Sequence, residues 1–343
     1  MFELFLLLGV LAVSAGLTGL LRRYALRIRL LDIPNARSSH LQPTPRGGGL
    51  AIVVSFSLGL IGWWLSGNMP TAQFVATLGG GLMIAAIGLA DDRFDLAARW
   101  RLLVHVAAAA WALWWLGGVP PLPVLGQQWE LGWLGVLVGL LLIVWLLNLY
   151  NFMDGIDGIA ASEAVAVAGG AAVLLLLERE YAAAVPLLLL VMAAGGFLLW
   201  NWPPAKIFMG DVGSAFLGFV LAVFALAGAE PGLSIWVWLI LLGVFVVDAT
   251  FTLMRRLFQG ERIYQAHRSH AYQRATRRLG AHKPVTLVVA LINVGWLWPL
   301  AWLALSYPDA AVLILLVAWA PLALIAMALG AGAPEHGVQG AGG

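Results

Sequence analysis

Long apolar runs alternate along the chain with short polar, basic or glycine-rich stretches, a pattern that predicts repeated crossing of a membrane. A helix needs roughly 20 mostly apolar residues to cross a hydrocarbon core about 30 Å thick. Eleven segments meet that requirement, at about 2–21, 47–65, 71–90, 100–116, 131–147, 159–177, 181–200, 213–229, 234–254, 285–305 and 310–330. The expected fold class is all-α, a polytopic integral membrane protein of about 11 transmembrane helices in a single domain over 1–330, with a disordered glycine-rich tail over 331–343. The first run opens with Glu3, lacks a basic leader and is long, so it reads as a retained helix and not as a cleaved signal peptide.

Composition supports the pattern and removes other classes. Of 343 residues, 62% are hydrophobic and only 10% charged, with mean hydropathy +0.92, which excludes a soluble globular enzyme and an intrinsically disordered chain. No cysteine is present, so no disulfide scaffold can form. The net charge of +2 does not indicate nucleic acid, because the 19 Lys and Arg fall in short blocks between apolar runs. Eighteen of them lie after the odd-numbered segments and only Arg179 lies after an even-numbered one. The positive-inside rule then places the N-terminus outside (periplasmic) and the C-terminus in the cytoplasm. Adjacent glycines such as Gly79, Gly80 and Gly81 read as close helix-packing faces, and the seventeen Trp as interfacial anchors.

With that topology the remaining polar residues gather on the cytosolic side. Asp91, Asp92 and Asp95 follow the third segment, Asn148, Asn151, Asp154 and Asp157 the fifth, Asp211 the seventh, and His267, Arg268 and His270 the ninth. A carboxylate at the bilayer centre costs roughly 2.5 to 3.5 kcal/mol on insertion scales, so these acids are expected to line a hydrated cavity with a cation among them. Oxygen and amide donors favour Mg²⁺, or Mn²⁺, over zinc. Glycine-rich stretches lead into the even-numbered helices at 46–49, 154–158 and 210–214, and their free N–H groups are expected to point at the same cavity. Metal-binding acids beside helix N-termini and basic side chains suit a phosphate-rich substrate, which implies phosphoryl transfer.

At these residues the chain resembles the polyprenyl-phosphate N-acetylhexosamine-1-phosphate transferases, glycosyltransferase family 4. The resemblance runs through His40-x-x-Pro43-Thr44-Pro45-Arg46-Gly47-Gly48, Asp91-Asp92, Asn148-x-x-Asn151-Phe152-Met153-Asp154-Gly155-Ile156-Asp157-Gly158 and Phe208-Met209-Gly210-Asp211-Val212-Gly213-Ser214. The fifth stretch, His267 to Arg274, departs from the consecutive histidines of the pentapeptide translocases and is closer to the branch that starts O-antigen or related surface polysaccharides. The resemblance implies transfer of a sugar 1-phosphate from a UDP-N-acetylhexosamine to undecaprenyl phosphate with release of UMP, dependent on Mg²⁺, at the cytoplasmic face of a bacterial inner membrane. It makes Asp211 and Asp154 metal ligands, with Asn151 beside them on metal or nucleotide. Asp91 and Asp92 would face the acceptor phosphate, and His267, Arg268, His270 and Arg46 would stabilise pyrophosphate charge. A homodimer is compatible with the sequence.

Plainer roles stand beside several of these. Asp95 and Arg99 form an i, i+4 pair, and Asp157 either binds substrate or caps the helix it precedes. Asp248 reads as an intramembrane ion-pair partner of Arg255 or Arg256, and His105 and His282 as structural or exposed. An intramembrane prenyltransferase would need a second acidic motif on a helix, where this chain has a glycine loop with two asparagines. A cation-coupled transporter or lipid flippase would bind near the midplane on discontinuous helices, where this chain clusters its polar groups at one surface.

Overall fold

The computed structural model of the protein describes residues 1–33, 43–227, 232–261 and 268–334. Among them the chain forms fourteen α-helices. In order these are α1 (Phe2–Arg27), α2 (Gly49–Leu65), α3 (Thr71–Phe94), α4 (Ala98–Leu116), α5 (Trp133–Met153), α6 (Ile159–Leu177) and α7 (Tyr181–Asn201), followed by α8 (Asp211–Ala227), α9 (Ile235–Leu241), α10 (Gly243–Phe258), α11 (Ala271–Leu279), α12 (His282–Ile292), α13 (Trp298–Ser306) and α14 (Ala311–Leu329). Two short antiparallel hairpins complete it: β1 (Leu31–Asp32) with β2 (Thr44–Pro45), and β3 (Leu122–Val124) with β4 (Gln127–Trp129).

Every apolar segment read from the sequence contains helix, and the fold is an all-α membrane protein. Helix length and composition support fewer than the expected eleven crossings. Among the described residues seven helical stretches are long and apolar enough to span, and eight if the bent pair α9–α10 is one span. The axis turns by 80° between α9 and α10, so the run 234–254 is not one straight rod. Helices α2 and α8 have only 17 residues each, and α4 carries Arg99, Arg101 and His105.

The short α8 sits at the centre. Every side chain from Val212 to Leu226 is buried, and α8 packs on α2, α3 and α5. Leu4, Phe5, Leu141 and Leu316 instead point outward from α1, α5 and α14, as lipid-facing residues do. Helix α7 accommodates Pro186, which cannot donate to the carbonyl of Ala182, because the Trp63 indole donates to that oxygen at 3.2 Å. Glu163 of α6 is wholly buried and accepts from Asn293 Nδ2 at 2.5 Å. Asn293 opens a five-residue π-helical stretch, Asn293–Leu297, between α12 and α13, where the wider turn aims its amide at α6.

The first residues of the expected tail pack on the bundle. Ala331 is buried, its carbonyl accepts from Arg255 Nη1 at 3.0 Å, and Gly332 N donates to the carbonyl of Ser269 at 2.8 Å. Residues 335–343 lie outside the described residues.

Candidate active site

Four chain segments meet at one end of the bundle: the C-terminal ends of α3 and α5, the start of α4 and the start of α8. Helix α3 ends because Asp95 takes a left-handed backbone at φ 51°. The chain reverses there and re-enters α4 after three residues, which returns Arg101 over the acids it has just passed. Arg101 Nη1 donates to Asp91 Oδ2 at 2.7 Å and to Asp211 Oδ2 at 3.3 Å. Asp91 Oδ1 accepts from the backbone N–H of Leu96 at 2.8 Å, which braces the reversal. The expected Asp95–Arg99 pair is not among the ion pairs of the described residues, and Arg99 lies over the ring of Trp100 instead.

Asp92 does not face open solvent as a free carboxylate. Its Oδ1 accepts from the backbone N–H of Asp211 at 3.1 Å and its Oδ2 from that of Val212 at 3.2 Å, so it caps α8 from a neighbouring helix. The structure gives Asp92 a helix-capping role that the sequence reading did not include. The close approach is permitted by Gly210 at φ 76°, where a Cβ would lie 2.6 Å from Asp92 Oδ2.

Asp211, at the first position of α8, is the hub. Its Oδ2 also accepts from Asn151 Nδ2 at 3.2 Å, and Asn151 Oδ1 in turn accepts from Ser214 Oγ at 2.9 Å. Asp154 follows α5 and is partly buried, within electrostatic reach of Asp211, Asp92 and Asp157. Burial first, then those three carboxylates, push its carboxyl up to about 7. Arg46 lies near Asp92, and its Nε is buried with no hydrogen-bond partner among the described residues. Asp91, Asp92, Asn151, Asp154, Asp211 and Arg46 are therefore brought together as the sequence led one to expect.

The other described site residues are held by different contacts. Asp157 does not cap α6, whose N-cap is Gly158 in a left-handed conformation. Its Oδ2 accepts from Ala205 N at 3.0 Å and its Oδ1 lies 3.2 Å from His282 Nδ1, so it ties the loop before α6 to α12. His270 is buried at the N-cap of α11, with Nδ1 3.4 Å from Asp248 Oδ1. Arg268 pairs with none of the described carboxylates, and its carbonyl accepts from Arg277 at 2.8 Å. His267 lies outside the described residues.

The helix N-termini expected to receive phosphate have protein acceptors on some of their leading N–H groups. Gly48 and Gly49 donate to the carbonyls of Phe208 and Met209, both at 2.9 Å, and Gly158 donates to Asn201 Oδ1 at 2.9 Å. With Asp92 on α8, each nominated start has at least one of its leading N–H groups taken by a protein acceptor. Their glycines serve chain-to-chain approach, since a Cβ on Gly49 would strike the backbone of Gly213. Among the described residues, the guanidinium groups of Arg46 and Arg101 stand beside the site's acids as donors for an anion.

Arg101 went unrecognised as a site residue in the sequence. A cation three residues inside an apolar helix, just past an acidic reversal, was the available signal. Asp248 was recognised but mispaired: Arg255 bonds Ala331 and Arg256 bonds Glu261 at 2.6 Å, while Asp248 turns toward α11.

Among the described residues no three Asp, Glu or His side chains converge as a metal cluster. The carboxylates of Asp211 and Asp154, with the Asn151 amide beside them, are oxygen donors of the kind Mg²⁺ takes, an ion that keeps several waters and uses one or two carboxylates together with substrate phosphates. Asp211 and Asp154 are the two carboxylates that would hold it.

The profile of Glycosyl transferase family 4 matches residues 74–229, the stretch that holds Asp91, Asp92, Asn151, Asp154 and Asp211. The chain is similar to the probable undecaprenyl-phosphate N-acetylglucosaminyl 1-phosphate transferase of Bacillus subtilis, 31% identical over 284 residues that cover 81% of this chain and 78% of the relative. It is also similar to the decaprenyl-phosphate N-acetylglucosaminephosphotransferase of Mycobacterium tuberculosis, 30% identical over 80% of this chain and 76% of the relative. The undecaprenyl-phosphate alpha-N-acetylglucosaminyl 1-phosphate transferase of Thermotoga maritima is 26% identical over 81% of this chain and 84% of its own length. With likeness along most of its length and the acidic site inside the matched region, the chain belongs to the polyprenyl-phosphate N-acetylhexosamine-1-phosphate transferases of glycosyl transferase family 4, and is a multi-pass membrane sugar-phosphate transferase.

Proposed function

We propose that the protein transfers an N-acetylhexosamine 1-phosphate from a UDP-sugar to undecaprenyl phosphate at the cytoplasmic face of the bacterial inner membrane, starting a lipid-linked surface polysaccharide. The observation that carries this reading is Asp211, held by Arg101 and Asn151 and set at the head of α8 by Asp92. An oxygen of the acceptor phosphate attacks the β-phosphorus of the donor in line. The bond from that phosphorus to the oxygen bridging the α-phosphorus breaks, and UMP leaves with that oxygen. Mg²⁺, when bound, would neutralise the diphosphate and its leaving group.

The chain's own residues supply the rest. Asp211 and Asp154 provide the oxygens for the ion, and Asn151 orients Asp211 through a bond that Ser214 braces from behind. Arg101 offers guanidinium N–H groups between Asp91 and Asp211, and Arg46 brings a buried Nε with no acceptor of its own, which an anionic phosphate oxygen satisfies. Asp91, already bonded to Arg101 and Leu96, serves to aim Arg101. The lipid phosphate is largely ionised near neutral pH, so the attack does not require a base.

The test is a donor panel: purified protein in nanodiscs, undecaprenyl phosphate, Mg²⁺ and each of UDP-GlcNAc, UDP-FucNAc and UDP-QuiNAc, with UMP measured. Release from at least one donor, abolished by EDTA and restored by Mg²⁺, is expected. UMP release that persists in EDTA would exclude the metal-assisted reaction.

A further inference from the structure

A second carboxylate repeats the arrangement of Asp92 on the other side of the site. Asp248 lies in α10 and is 6% exposed. Its Oδ1 accepts from the backbone N–H of Ala271 at 2.8 Å and its Oδ2 from that of Tyr272 at 3.0 Å. Thr252 Oγ1 donates to Oδ1 at 3.1 Å and His270 Nδ1 stands 3.4 Å away, so the carboxylate is held where it captures the first two N–H groups of α11. None of these partners belongs to the Asp211 cluster.

Helix α11 carries the restraint onward. Tyr272 is 4% exposed, and its Oη donates to the carbonyl of Phe152 at 3.0 Å. Gly155 has no room for a Cβ because the same hydroxyl fills the space, and the imidazole of His270 stacks on the phenol at 5.8 Å. Phe152 and Gly155 flank Asp154, two residues before and one after it. We propose that Asp248 and Tyr272 are positioning residues: Asp248 fixes the start of α11, and Tyr272 Oη fixes the backbone that presents Asp154. Neither touches the reacting groups, and both act through Asp154. The functional half of this inference rests on the transferase reading.

The residue types suit the task. An aspartate offers two oxygens to two adjacent N–H groups, which an asparagine cannot do, since its NH₂ would face a donor. A tyrosine reaches the carbonyl through a rigid ring, and phenylalanine keeps that ring while removing only the hydrogen bond.

Two readouts on the full-length chain in nanodiscs test the link. In amide hydrogen exchange, Tyr272→Phe is expected to speed exchange at residues 153–157 at least about threefold and to leave the backbone N–H groups at positions 271 and 272 unchanged, whereas Asp248→Asn speeds both. In UMP release, Tyr272→Phe raises the Mg²⁺ concentration for half-maximal rate about fivefold with kcat within about twofold, and Asp248→Glu recovers part of what Asp248→Asn loses. The double variant is expected to be no worse than Asp248→Asn alone, as for two links of one chain. Multiplicative losses in the double variant, or unchanged exchange at 153–157 in Tyr272→Phe, would overturn the inference. Exchange decides the mechanical link whatever the reaction; a wild-type chain that released no UMP from any donor would instead overturn the transferase reading and the functional half with it.

Discussion

Asp92, Asp154 and Asp211 are alike in chemistry and differ in what surrounds them. Asp92 spends both oxygens on the head of α8, Asp211 meets cationic and amide donors, and Asp154 sits beside other carboxylates. Their variants should therefore fail differently. Asp211→Asn and Asp154→Asn are expected to cut UMP release by on the order of 10²-fold with the protein still folded and inserted, because metal and phosphate positioning supply much of the barrier reduction. Asp92→Asn should instead lower the melting temperature, since a lost cap costs about 1 kcal/mol and an amide NH₂ would oppose a backbone N–H. A stable but inactive Asp92→Asn would return Asp92 to the chemistry. Asp154 also carries a pH dependence of definite sign. Its carboxyl is raised from the usual 3.8 to about 7, so its contribution to stability in the metal-free chain is full below about 4 and lost as pH rises through about 7. In EDTA, the melting temperature of Asp154→Asn relative to wild type should rise across that interval. Protons compete with the ion for the same oxygens, so less Mg²⁺ should be needed for half-maximal activity as pH rises from about 6 to about 8. A relative melting temperature that fell instead would mean Asp154 is stabilised by a cation of the protein. Position after the odd-numbered apolar runs, and the family resemblance, nominated all three acids in the sequence; neither could apportion cap, ligand and bridge, because those roles depend on N–H groups contributed by helices distant in the chain.

At the level of elements, the apolar runs were readable as helices because lipid requires each run to satisfy its own backbone. What they did not disclose was how the helix starts are closed. Some of the free N–H groups expected at α2, α6 and α8 are taken by Phe208, Met209, Asn201 and Asp92, and the glycines there permit packing. Nor could the run 234–254 announce its 80° turn, since Leu242 alone separates the two helices and no proline marks the break. The contact of α2 with α8 yields a direct prediction. Gly49→Ala places a methyl group against the Gly213 backbone and within 2.9 Å of the Met209 carbonyl, with no flexible side chain to yield. Overpacking of this kind costs about 1 to 3 kcal/mol. A lower melting temperature and, through displacement of Asp211 at the head of α8, a loss of UMP release are expected together. Gly195→Ala, whose Cβ would meet only Leu11 at 3.9 Å, should leave both within error. A Gly49→Ala protein that melts and turns over like wild type would show that the α2–α8 approach is not close.

For the whole molecule, the charge asymmetry along the sequence becomes a physical end of the bundle. The acidic cluster, Arg46, Arg101 and the Lys206 carbonyl that accepts from Arg22 Nε at 3.3 Å belong to loops and helix ends on one side, while the β3–β4 hairpin joins the opposite ends of α4 and α5. The positive-inside rule assigns the first end to the cytoplasm. Because the chain contains no cysteine, single introduced thiols report each end without background. Ser269 is a poor probe for the site end, being only 2% exposed. Ala97 in the α3–α4 reversal and Gln128 in the hairpin are both exposed. In intact cells an impermeant maleimide should label Gln128→Cys and spare Ala97→Cys until the membrane is opened. UMP release by both variants would show that neither probe disturbs the site. The reverse labelling pattern would invert the molecule and put the acidic site outside, away from cytosolic UDP-sugars, which no variant of the proposed reaction could accommodate.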